Sequence, residues 1–153
     1  MIGQTALPLN RRRATAMLLL AAGLPRSSLA MFVRLSDEEL ISRSDLIVLG
    51  EWMGQSAVGA SALGDSAARL DLGAVAVSDV LKGPAGQTVV FIATPSAEAA
   101  RTGSDLHHRR GERGLWLLRA KPGAPAGIYL ADHPQRFEAD AARIDALRRL
   151  LKR

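Results

Sequence analysis

Three groups of residues in this 153-residue chain are of types able to do chemistry. Glu51 is a lone carboxylate in an apolar run, and Asp132-His133 sets a carboxylate beside an imidazole. Brought together by folding, these three could serve a hydrolase as an acid–base site. Asp105, His107 and His108 are metal-ligand types within the polar run 101–113, and Arg109, Arg110 and Arg113 beside them could hold an anion. Asp37-Glu38-Glu39 offers neighbouring carboxylates.

Spacing weakens each of these readings. Adjacent histidines point in different directions on any regular element, whereas helical zinc pairs sit four apart. Arg101, Arg109, Arg110 and Arg113 would repel a divalent cation, so the run 101–113 is expected to be a solvated loop. No Ser or Cys stands in a nucleophile context such as G-x-S-x-G to partner Asp132-His133. The carboxylates at 37–39 follow Ser36, and Ser36 with Glu39 reads as a capping box at a helix start. The expectation is therefore no catalytic residue, no metal and no cofactor. It describes a non-enzymatic binding module whose partner is a protein or an envelope polymer. A hydrolase built on Glu51, Asp132 and His133 is the alternative from another class, and a structural envelope component is a third.

The elements that would position these groups are mostly strands. Apolar and β-branched runs predict a strand over 45–53, with Leu46, Val48 and Trp52 on one face and Ile47, Leu49 and Met53 on the other. Gly50 there suggests a bend or a close approach of backbone, and Trp52 is expected in the core. Residues 69–94 read as two strands joined by a Gly/Pro turn at 82–87. Leu70 and Leu72 alternate, slip phase at Gly73 and resume at Val75 and Val77, which predicts a bulge at the glycine. Further strands are expected over 114–120 and 127–132, a helical turn over 96–100, and an unstructured connection over 55–68. Phe137, Ile144, Leu147 and Leu151 recur at helical spacing, with Asp140 early and Arg148, Arg149, Lys152 and Arg153 late. That pattern predicts an amphipathic terminal helix. The expected class is all-β: a five-stranded OB-like barrel with a short N-terminal helix and a C-terminal helix packed on it, an open sandwich of the same strands being the alternative.

Before the barrel, Arg11-Arg12-Arg13 and the uncharged core Ala14 to Leu24 precede Pro25 and the small residues Ser28-Leu29-Ala30. This is the pattern of an export signal cleaved between Ala30 and Met31. Its apolar core is about half the ~20 residues that a membrane span needs. The expected organisation is a signal peptide over 1–30, the barrel over 31–135 and the helix over 136–153, placing the protein in the periplasm or outside the cell. Asn10-Arg11-Arg12 bears a faint similarity to a twin-arginine signal, so the export route stays open. The chain has no cysteine, which removes a lipobox anchor and any disulfide framework. The formal charge is +5, but Arg11, Arg12, Arg13 and Arg26 sit in the leader without an acidic residue. The remainder is nearly neutral, and nucleic-acid binding is not expected of it.

The succession of the 46–52 run, Lys82-Gly83-Pro84, Val89-Val90-Phe91-Ile92 and Gly114-Leu115-Trp116-Leu117-Leu118 resembles the netrin-like module of tissue inhibitors of metalloproteinases. The resemblance covers about 44–132 and implies an OB-type barrel. It also implies a protease-inhibitory role, in which the α-amino group and carbonyl of a mature N-terminal cysteine chelate the protease zinc. Here the expected mature terminus is Met31, and no disulfide would fix it. Partner contact is expected at the apolar trio Met31, Phe32 and Val33, freed by cleavage, and at the 55–68 connection.

Overall fold

The computed structural model describes residues 33–58, 70–95 and 107–153. Its order is α1 (Asp37–Ser42), β1 (Leu46–Ala57), β2 (Leu70–Lys82), β3 (Val89–Pro95), β4 (Arg113–Ala120), β5 (Ile128–Leu130), a 3₁₀ turn (Pro134–Arg136), β6 (Phe137–Glu138) and α2 (Ala141–Leu151). The strands run β1-β2-β3-β5-β4, and β4 returns to pair with β1, so the barrel closes on itself. The β3–β5 pairing is parallel and the other pairings are antiparallel; β6 pairs with Leu115 and Trp116 on the side of β4 opposite β1, beyond the short β5 ladder at Arg119 and Ala120. This is the five-stranded OB-like arrangement that the alternation predicts.

Apolar residues on both faces of β1 and β4 serve two cores. Leu46, Val48, Trp52, Val75, Val90, Ile92, Trp116, Leu118 and Tyr129 fill the barrel. On the outer side, Ile47, Leu115 and Leu117 lie beneath Leu40 of α1 and Leu147 of α2. Both helices start on side-chain caps: Ser36 Oγ accepts from the Glu39 amide at 3.2 Å, and Asp140 Oδ1 accepts from the Arg143 amide at 2.8 Å. Arg143 then clamps Asp37 across the two helices, and Arg148 reaches Asp79 of β2 at 3.0 Å. The terminal helix is shorter than the 136–153 expected. His133 accepts the Gln135 amide to start the 3₁₀ turn, and Phe137 goes to β6, where it pairs with Trp116. The helical spacing of Phe137 with Ile144 is thus coincidental, because its ring is drawn to the barrel mouth beside Trp116.

Two strand expectations need correction. Strand β1 continues through Ala57, because Gln55, Ser56 and Ala57 find ladder partners in Gly73, Leu72 and Asp71. The connection expected over 55–68 therefore begins after Ala57, and 59–68 lie outside the described residues, as does the helical turn expected over 96–100. Gly73 is not a bulge either. It pairs in regular register with Gln55 and Ile92. The register shifts of the β1–β2 pair fall around Met53, Ser78 and Leu81 instead. The break at Ser78 lets both Val77 and Val80 pack against the barrel core. Gly73 instead makes room for an indole. A Cβ there would overlap Cη2 of Trp52 and lie 2.7 and 2.8 Å from Cζ3 and Cζ2. The Cη2 end of the Trp52 ring abuts this glycine, and the inward positions are Asp71, Gly73 and Val75, while Leu72 faces outward.

Candidate functional site

The three residues of the hydrolase alternative are not brought together. Glu51 accepts from Arg113 Nε at 2.7 Å where β4 begins, whereas Asp132 pairs with Arg119 and Arg136 near the end of that strand. Six residue steps along β4 separate Arg113 from Arg119, about 20 Å at the usual rise. Asp132 and His133 both hold structure. Arg136, 4% exposed, donates to Asp132 at 2.8 Å, to Ser44 Oγ at 3.2 Å and to the Leu117 carbonyl at 3.0 Å. His133 Nδ1 accepts the Gln135 amide, and its Nε2–H donates to the Val33 carbonyl at 3.2 Å. Gln135 in turn makes both backbone hydrogen bonds to Leu35. Residues 33–35 are thereby strapped to the 3₁₀ turn, although Val33 is 81% exposed. Ala30, Met31 and Phe32, the cleavage site and most of the expected contact trio, lie outside the described residues.

The solvated-loop expectation fails at His108. Its side chain is only 6% exposed. The ring sits 5.2 Å from Trp52, 4.5 Å from Trp116 and 4.7 Å from Phe137, centroid to centroid. Nδ1–H donates to Glu112 Oε2 at 3.0 Å, which leaves Nε2 buried without a partner among the described residues. Burial pushes the His108 pKa below its ordinary 6.5, and it outweighs the opposing pull of the Glu112 carboxylate. Around this ring the segment is tied to β1: the Gly111 amide donates to the Trp52 carbonyl at 2.9 Å and the Trp52 amide to the Glu112 carbonyl at 2.8 Å. Glu112 also accepts the Arg109 amide at 3.1 Å. Asp105 and Arg101 lie outside the described residues, and among the described ones no three ligand-type side chains gather where a metal ion could sit. Arg113 is paired with Glu51, so the three arginines do not form one anion site.

Beside this plugged mouth runs the outer wall of β1, β2 and β3. Register sets Leu72 beside Ala93, Ala74 beside Phe91 and Ala76 beside Val89, and β5 adds Ile128 next to Phe91. Met53, Val89 and Phe91 are each more than 40% exposed. Met53, Leu72, Ala74 and Phe91 line an open groove of about 480 Å³, with Arg110 at its edge. Arg110 has no carboxylate partner among the described residues. Sequence reading missed this surface because the apolar residues of β3 look like core from the run alone; only their alternation about Val90 and Ile92, both buried, could have separated the faces. Among the described residues no helix is long and apolar enough to cross a membrane. No protein-family profile and no curated protein matches this chain.

Proposed function

We propose that the chain is an exported, non-enzymatic binding module that recognises a protein or an envelope polymer through the outer wall of its barrel. The observation that carries this reading is the apolar outer face on which the exposed Met53, Val89 and Phe91 surround the half-buried Leu72 and Ala74. Single exposed apolar residues are ordinary, but a continuous patch on an otherwise well-packed barrel marks a contact surface. The face lies on strands 2 and 3, where OB-type barrels commonly hold ligands. Nucleic acid fits it poorly, since counterion release needs several cations and Arg110 is the one cation among the described residues that line this groove. Export rests on the leader: protein from the envelope fraction is expected to begin at or within a few residues of Met31, and intact Met1 in the cytoplasm would overturn that part.

Recognition is tested by photo-crosslinking in the producing cell. A benzoyl-phenylalanine at position 91 should give a discrete adduct that the same residue at Lys152, the exposed cap at the C-terminus of α2, does not. Phe91→Ser should abolish partner capture while shifting stability by no more than about 1 kcal/mol, as expected of an exposed site. Equal adducts at both positions, or none at 91, would remove the wall as the recognition surface.

A further inference from the structure

Resting on that reading of the wall, the geometry points to its occupant: a polypeptide segment that seats a bulky apolar side chain against Phe91 and Leu72 and sets an aspartate or glutamate carboxylate against Arg110. Met53, Val58, Leu72, Ala74 and Phe91 give the groove an aliphatic, thioether and aromatic surface, and Gln55 and Ser56 are its neutral polar side chains. Aliphatic side chains are the complement of the larger, apolar part. Sugar hydroxyls would lose water against that part, with the Ser56 hydroxyl and the Gln55 amide, which already donates to Asp71 at 3.0 Å, as the neutral side-chain groups to receive them.

Arg110 supplies the second half of the specification. A partner that covers the groove strips water from an unpaired guanidinium, and that is costly unless the partner brings an acceptor. A carboxylate answers both charge and fork geometry. The backbone that carries the cation is also held in advance. His108, two residues before it, is inserted among Trp52, Trp116 and Phe137, and Gly111, the next residue, is hydrogen-bonded to β1. A fixed backbone at 108–112 reduces the ordering cost when a ligand arrives. Arg113, three residues on, is already paired with Glu51, which leaves Arg110 as the charge available at the groove.

The test is selection of random 12-residue peptides displayed on phage against the whole purified protein, followed by titration of synthetic winners. The enriched set is expected to place Leu, Ile, Phe or Met within about three residues of Asp or Glu. Phe91→Ser should recover none of that set. Arg110→Gln should bind the winners about tenfold more weakly, the size of one charge-assisted hydrogen bond. It should also treat each acidic peptide and its Asn or Gln twin alike, whereas wild type prefers the acid. Both substitutions are at exposed positions, and unchanged melting confirms that they fold. Winners that are apolar but show no acid preference, or an Arg110→Gln protein that keeps the preference, would overturn the carboxylate assignment and leave the wall standing. So would a wild type that enriches no Phe91-dependent peptide, self-associates through Phe91, or binds an oligosaccharide array instead. A position-91 crosslink obtained in the cell alongside any of these results shows that the occupant was wrong and the surface right; its absence removes both.

Discussion

Gly73→Ala is expected to cost the barrel about 3 kcal/mol, an unusual penalty for adding one methyl to a strand. In most strands the change would help slightly, because glycine loses more backbone entropy on folding. Here the new Cβ lands on the six-membered ring of Trp52, which is 2% exposed and stacked on Trp116 at 5.6 Å. The indole has nowhere to retreat: beyond Trp116 lie His108 and Phe137. Trp52→Phe should itself be destabilising through the volume it removes. Combined with Gly73→Ala it should cost less than the sum of the single changes, since each relieves the other. Urea denaturation followed by circular dichroism measures all three. A loss under about 0.5 kcal/mol for Gly73→Ala, or strict additivity in the pair, would mean that the ring does not lie on the glycine.

The second large effect is acid sensitivity through His108. The unfolded imidazole titrates near 6.5, and the folded one lower, because protonating Nε2 would place a charge among Trp52, Trp116 and Phe137. Between the two values the unfolded chain holds a proton that the native chain does not, so stability falls as pH falls. The contribution is fully present above 6.5 and is lost as the pH drops below that value toward the folded pKa. The facing carboxylate, Glu112, opposes the trend without reversing it. His108→Phe keeps a ring in the cage and removes the titration. Its melting temperature should stay flat between about pH 6.5 and 5, where the wild type declines. At pH 8 the two should agree within about 1 kcal/mol, since the variant loses the Glu112 hydrogen bond but also the unpaired buried Nε2. A wild type that gains stability on acidification would show that Glu112, not burial, governs the ring.

What the sequence determined by itself is what depends on neighbours along the chain. Apolar and β-branched runs placed β1, β3 and β4, apolar residues on both faces of 45–53 required a layer on each side of that strand, and Ser36 and the early Asp140 marked helix starts. All of these are short-range signals, and the structure carries them. The tertiary structure alone decided the rest. Closure rests on the β4–β1 pairing and on the three-residue parallel β3–β5 pair: a strand was expected over 127–132, but nothing local to it names its partner. Gly73 reads as a bulge until Trp52 is laid over it, and Phe137 reads as helix until Trp116 and His108 claim its ring. The same holds for the candidate surfaces. His108 stands in a run of charges, and its burial comes from Trp52, fifty-six residues earlier, and from Trp116 across the turn. Alternation puts Phe91 on the face opposite Val90 and Ile92, but which of the two faces is the core is decided only when the barrel closes and leaves Phe91 on the outside. The physical reason is common to them: local pattern specifies which residues want burial, but which of them obtain it depends on which distant strands close the barrel.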